Sequence, residues 1–235
     1  MSFWDHLEDL RKSLIRMVVA LLCVTAGLFL FKDFLFDDVI LSPAGSLPLV
    51  NLEVAAQFVI HLKVTFISAL ILTVPYIVYE LWRFIAPALY ADEKKTVRGA
   101  FLFASVLFYI GLAVGYFVVF PLMLKFFADY QVSASVPNTF SLSSYISLLT
   151  STVLAFGIVF EFPSVIAVLS ALGIVTRETM RGYRKHAICG VLVLAAVITP
   201  SGDPFSLFVC SVPLYLLYEL SILICRKEVY EADDY

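Results

Sequence analysis

The chain has 235 residues, 61% of them hydrophobic and 15% charged, with a formal net charge of -3 and a mean hydropathy of +0.95. Soluble domains carry roughly 45–50% apolar and about 25% charged residues, so the composition excludes a soluble globular class, and its apolar content excludes an intrinsically disordered one. The basic balance of a nucleic-acid binder is also missing, which leaves an all-α integral membrane protein as the expected class.

The N-terminal segment spaces Phe3, Leu7, Leu10 and Leu14 at helical intervals, with Ser2 and Asp5 at capping-box positions. This pattern predicts an amphipathic helix lying on the membrane interface. On its polar face Glu8 has Lys12 at i+4 in the favourable order, which leaves Asp9 as the carboxylate available to an outside cation. Because Asp5, Glu8 and Asp9 stand beside the basic residues before the first apolar run, that run is expected to remain as a membrane span rather than be cleaved as a signal peptide.

A helix needs ~20 mostly apolar residues to cross ~30 Å of hydrocarbon. The apolar runs predict one domain over 1–235 with six spans at about 14–36, 64–82, 97–124, 145–171, 187–199 and 204–225. The third contains Gly111 and Gly115 at a spacing that lets helices approach closely. The fourth is interrupted by Glu161 and Pro163. The fifth would cover only ~20 Å as a helix, and is expected to thin the bilayer or to form half of a re-entrant hairpin. The connections 32–63 and 125–141 are expected to be structured external caps, the first with a short surface helix over Val54 to Ile60. Thirteen of the sixteen Lys and Arg residues fall at the termini and the even-numbered connections, while Lys32, Lys63 and Lys125 fall on the other side. The positive-inside rule then sets both termini in the cytoplasm.

No catalytic signature is present, and the four cysteines lie inside apolar runs without metal-ligand spacing. No catalytic residue, metal or cofactor is expected. Glu161 is the one carboxylate clearly at mid-span. A charged side chain there costs ~2.5–3.5 kcal/mol on insertion scales, and such a residue marks a functional site by default. It would serve as a contact for a partner span, as an ion-coupling site, or as a protonated or internally paired structural group. Glu80 has Arg83 at i+3, and Glu219 is expected to be satisfied by Arg226 or Lys227. Glu93 stands in the first turn of a helix, where it either binds a cation or complements the helix dipole by ~0.3–1 kcal/mol.

Five stretches carry a family resemblance: HLEDLRKSL from His6 to Leu14, PYIVYELWRFIAPALYADEKK from Pro75 to Lys95, YFVVFP from Tyr116 to Pro121, FGIVFEFP from Phe156 to Pro163, and TPSGDP from Thr199 to Pro204. Together, in collinear order over nearly the whole chain, they resemble the TatC family, the multispanning receptor subunit of the twin-arginine protein translocase. The resemblance implies six spans with cytoplasmic termini in a bacterial inner membrane. It also implies a non-enzymatic receptor, driven by the proton motive force, that binds Arg-Arg signal peptides of folded cargo. Asp9 and Glu93 would be the recognition carboxylates, with Arg11, Phe84, Pro87 and Tyr90 shaping the site. Glu161 would contact single-span partners of the TatA and TatB type, Pro43 and Asp203 would belong to the opposite face, and self-association in a receptor complex would follow. Asp9 stands where the family usually has Glu, and Glu80 where many relatives have Gln. The competing expectations are a secondary transporter that uses Glu161 as its proton-coupling site, and a structural scaffold in which both cytoplasmic carboxylates are replaceable.

Overall fold

A computed structural model of the chain describes residues 3–45, 47–86, 91–133, 135–136, 138–171, 173–199 and 202–225, without the side chains of residues 3–6, 91–98, 100 and 171. Its helices are α1 (Phe3–Leu30), α2 (Ala56–Ile85), α3 (Ala91–Val114), α4 (Phe120–Asp129), α5 (Leu142–Val159), α6 (Phe162–Ala171), α7 (Arg177–Gly182), α8 (Arg184–Ile198) and α9 (Pro204–Ile224). Among the described residues five helical stretches are long and apolar enough to cross a membrane: Leu7–Leu30, Ala56–Ile85, Phe101–Asp129, Leu142–Ser170 and Pro204–Ile224. The remaining expected crossing, 187–199, falls in α8, whose 15 residues extend only ~22 Å.

The described residues form two compact units. In the first, residues 1–94 and 120–150, α1 runs antiparallel to α2. Arg16 meets Glu80 near one end, and the Phe29 ring stacks on His61 at 4.3 Å nearer the other. Neither Gly nor Pro occurs between Phe3 and Ala26, so no break separates the amphipathic turns from the apolar run, and the helix is continuous. It ends at Leu30 rather than near residue 36. The chain then turns at Phe31 and re-forms as a π-helical segment over Phe34–Ile40.

The surface helix expected over Val54 to Ile60 is not separate. Ala56–Ile60 are the opening turns of α2, because His61, Leu62 and Lys63 offer no breaker before Val64. At 30 residues α2 is ~45 Å long, more than the ~30 Å hydrocarbon core requires, so its ends reach the interfaces. Before it, a 3-10 turn over Ser42–Ala44 carries Pro43, and Gly45 supplies a φ of 55°. Strand β1 (Leu49–Val50) then pairs in parallel with β2 (Phe140–Ser141), which immediately precedes α5. The Tyr145 hydroxyl donates to the Ile40 carbonyl at 2.8 Å and ties α5 to the connection after α1.

The second unit comprises residues 95–119 and 151–235. Here α3 and the π-turn Gly115–Val119 lie so close to α5 that a Cβ at Gly111 would stand 2.5 Å from the Phe156 carbonyl oxygen, and one at Gly115 3.1 Å from the Phe156 side chain. The glycine spacing noted in the sequence therefore marks a real helix contact. Between α5 and α6 the helix breaks at Phe160–Glu161. Pro163 has no N–H to donate to Val159 and its ring crowds that carbonyl, so Glu161 N–H turns back to Ile158 at 3.1 Å and a new helix starts. Helix α9 packs against α6, α7 and α8, with Ile166, Met180, Tyr218, Ile222 and Cys225 as a buried cluster. The Arg177 guanidinium donates to the Ile222 and Leu223 carbonyls at 3.0 and 2.6 Å, satisfying groups that a helix end leaves unpaired.

Gly111→Val should lower the thermal unfolding midpoint in detergent, since overpacking costs ~1–3 kcal/mol. Gly27→Ala, where nothing lies within 4 Å of an added Cβ, should not. Equal midpoints for the Gly111 variant and wild type would show that this helix contact is not close in solution.

Candidate functional site

The strongest polar assembly in the first unit joins α1 to α2. Arg16 Nε donates to Glu80 Oε1 at 2.9 Å and Nη2 to Oε2 at 2.7 Å, a bidentate pair. The same Nη2 donates to Ser13 Oγ at 2.9 Å, and the Tyr76 hydroxyl donates to Glu80 Oε1 at 3.1 Å. Arg83 stands farther off, at 3.9 Å. The Glu80 side chain is 2% exposed and that of Arg16 36%, so the carboxylate is buried while the guanidinium keeps one edge open. The sequence pattern permits this because residues three and four apart on a helix share a face: Tyr76, Glu80 and Arg83 line one face of α2, and Ser13 and Arg16 one face of α1.

Asp9 lies on that same face of α1, four residues before Ser13 and seven before Arg16, hence about 10 Å beyond the ion pair along the axis. Phe84 follows Glu80 by four residues, about 6 Å beyond it on α2. The helices being antiparallel, Asp9 and Phe84 extend toward the same end. Asp9 and Arg11 are exposed and Phe84 half-buried. Glu8 is taken by Lys12 at 2.9 Å, whereas Asp9 and Arg11 have no ion pair among the described residues. Glu93 lies in the first turn of α3, close in sequence to the end of α2. Its side chain, and Pro87 and Tyr90 altogether, lie outside the described residues.

In the second unit, Glu161 sits half-buried at the break between α5 and α6. Ser164 Oγ donates to its Oε2 at 2.7 Å and to its carbonyl at 2.8 Å. Among the described residues no cation pairs with it. Asp203 caps α9, accepting from Ser206 N–H at 2.8 Å ahead of Pro204 at the first helical position, a cap worth ~1 kcal/mol. Pro43 is half-buried in its 3-10 turn. Glu219 accepts from Arg184 at 2.6 Å and from the Tyr215 hydroxyl at 2.9 Å; its expected partners Arg226 and Lys227 lie outside the described residues, and the side-by-side packing of α8 and α9 brings Arg184 within reach. Among the described residues no group of His, Cys, Asp and Glu is arranged to hold a metal.

The profile of the family described as Sec-independent protein translocase protein (TatC) matches residues 5–213. The chain belongs to the TatC family. The Sec-independent protein translocase protein TatC of Blattabacterium sp. subsp. Periplaneta americana (strain BPLAN) is 36% identical to it over 95% of this chain and 94% of the relative. That of Escherichia coli (strain K12) is 35% identical over 94% and 86%. A crystal structure of the twin-arginine translocase receptor TatC in DDM superposes with a TM-score of 0.82 at 34% identity, covering 94% of this chain and 99% of that one. A second structure of the receptor TatC gives 0.78, also at 34% identity, over 93% and 97%. This TatC protein is thus a component of a Sec-independent protein translocase, integral to the membrane and a transport protein rather than a classical enzyme; the family does not favour a secondary transporter.

Sequence reasoning paired Glu80 with Arg83 and so missed Arg16, Ser13 and Tyr76. A signal was available: Arg16 lies inside the first expected span and Glu80 inside the second, and opposite charges in neighbouring spans tend to pair. Removing one partner of a buried ion pair costs ~3–5 kcal/mol, while replacing both by apolar groups is often neutral. With Arg16 partly open, the lower end is expected for Arg16→Met or Glu80→Met alone, read as a fall in the melting midpoint and yield of monodisperse protein. The double variant Arg16→Met/Glu80→Met should recover most of that loss. Additive losses would contradict the pairing.

Proposed function

We propose that this TatC protein is the receptor and core subunit of a twin-arginine translocase in a bacterial inner membrane, with no catalytic step and no resident cofactor. It binds the Arg-Arg signal peptides of folded cargo at the cytoplasmic face. It has six spans and cytoplasmic termini, as the asymmetry of Lys and Arg supports, with α8 a short crossing that thins the bilayer and the first turns of α1 at the interface. Its cargo is moved at the expense of the proton motive force, in a complex with further copies of itself.

The observation that carries this proposal is Asp9: an exposed carboxylate without an ion pair among the described residues, held about 10 Å beyond a rigid buried ion pair. A carboxylate accepts a guanidinium in bidentate fashion, with planar specificity that an ammonium does not match. Asp9 takes one arginine of the signal and Glu93 the other. Arg11, Phe84, Pro87 and Tyr90 shape the surrounding surface. Asp9 is shorter than the usual Glu of the family by one methylene, and the neighbouring Glu8 is already committed to Lys12. Either Asp9→Ala or Glu93→Ala should reduce affinity for a synthetic Arg-Arg signal peptide by at least tenfold, about 1.4 kcal/mol or more, measured by fluorescence anisotropy in nanodiscs. Full affinity in both variants would overturn the assignment and leave the structural scaffold as the better account.

Glu161 is assigned to the contact with single-span subunits of the TatA and TatB type. What supports this is its half-exposed carboxylate at a helix break, where one serine hydroxyl is its hydrogen-bond donor among the described residues; a polar group on a partner span would satisfy the remainder. Pro43 and Asp203 belong to the turns of the non-cytoplasmic face. Glu161→Ala should lower co-purification of a single-span partner several-fold while leaving signal-peptide affinity unchanged. Partner recovery at wild-type yield would refute the contact.

A further inference from the structure

Within the first unit a cavity of about 180 Å³ opens between the start of α2 and the start of α5, next to the β1–β2 pair. Its floor is the buried, apolar trio Ala56, Ile60 and Ile146. Its polar lining is divided by charge. Lys63, with Ser143 and Ser147, supplies donors, and Glu53 supplies an acceptor. Lys63 Nζ donates to Ser147 Oγ at 3.3 Å, a long contact that leaves two of its three protons free. No ion pair joins Lys63 to Glu53, and among the described residues the side chains of Glu53 and Ser143 have no hydrogen-bond partner. A cation and an anion that share a cavity without meeting are arranged for a ligand that carries both charges.

The level of the cavity indicates the source of that ligand. Helix α2 overruns the hydrocarbon thickness by ~15 Å in total, so its first turns, with Glu53 just ahead of them and Lys63 two turns in, stand at the headgroup layer. The exposed side chains of Val59, Leu62 and Phe66 continue from the cavity down α2, at spacings of three and four residues that keep them on one face of the helix. They form an apolar track on which an acyl chain can lie. The volume suits a headgroup, since an apolar cavity of about 150 Å³ accommodates benzene and this one is open at its mouth.

We propose that this cavity binds the headgroup of a zwitterionic aminophospholipid. The phosphate accepts hydrogen bonds from Lys63 and from the Ser143 and Ser147 hydroxyls, and the primary ammonium donates to Glu53, both charge-assisted. The acyl chains follow Val59, Leu62 and Phe66. A quaternary ammonium has no N–H to give Glu53, and an anionic headgroup without an amine sets its charge against that carboxylate, so both are disfavoured.

Native mass spectrometry of the delipidated full chain, titrated with phosphatidylethanolamine, phosphatidylcholine or phosphatidylglycerol, tests the assignment. Phosphatidylethanolamine should be retained about fivefold more than phosphatidylcholine, the scale of one partly exposed ion pair. Glu53→Gln should bring that ratio to parity, while Lys63→Met should reduce retention of all three lipids. Because both side chains are exposed, both variants should melt like wild type without lipid. Ser147→Val, which alters no charge, should weaken retention in the same direction as Lys63→Met. Equal retention of the three lipids by wild type, a Glu53→Gln variant that keeps the wild-type preference, or a Lys63→Met variant that retains the lipids like wild type would overturn the proposal. Competition by soluble glycerophosphoethanolamine as strong as that by the lipid would overturn the lipid as the ligand and assign the site to a free phosphodiester.

Discussion

The bidentate pair between Arg16 and Glu80 is the constraint around which the first unit is built. Two charges at the ends of neighbouring spans are costly alone. Brought together with two parallel N–H···O bonds, a serine and a tyrosine hydroxyl, they become a fixed point between α1 and α2. Attraction in a low-dielectric setting is strong, and the geometry allows little rotation of either helix about its own axis. That rotational setting is what presents Asp9 on one particular face and puts Phe84 toward the same end. The pair works as a positioning device for Asp9, whose exposed side chain makes no ion pair among the described residues.

Glu80 and Glu161 illustrate how the same functional group serves opposite ends. Glu80 is enclosed, and its two oxygens are met by a guanidinium and a phenol. Glu161 lies half-buried where Pro163 breaks the helix, and among the described residues receives one hydroxyl, from its own next turn. The first is internally satisfied and therefore structural; the second retains acceptor capacity toward whatever packs beside it. In the second unit, rigidity comes instead from backbone proximity: Gly111 lets α3 approach α5 to a distance that a side chain would prevent, and Gly115 in the π-turn keeps the next contact tight.

Much of this was legible in the sequence for identifiable reasons. Hydropathy marked the long spans because lipid demands uninterrupted apolar helix. The Pro163 break followed from a missing N–H, and the glycine contact from a four-residue spacing. The Glu8–Lys12 pair was legible because it is local. What escaped was non-local. Arg16 and Glu80 are 64 positions apart, so the nearer Arg83 drew the assignment, and Glu219 was likewise given to neighbours in sequence although Arg184, 35 positions away, reaches it. Helix limits also moved: nothing in Ala56–Lys63 punctuates the chain, so α2 began earlier than its most apolar stretch, and α1 absorbed the amphipathic turns for the same reason. The headgroup-sized cavity joins the start of α2 to the start of α5 and leaves no linear trace.

The central claim is that carboxylates near the start of α1 and the start of α3 read a pair of guanidinium groups. Otherwise identical signal peptides that carry a photoreactive residue beside an Arg-Arg or a Lys-Lys pair, supplied to membranes holding the wild-type chain, test it most directly. The account predicts strong crosslinking to the Arg-Arg peptide and a severalfold loss with Lys-Lys, because ammonium groups cannot make the bidentate contact. Equal crosslinking of both peptides, or none to either, would contradict it.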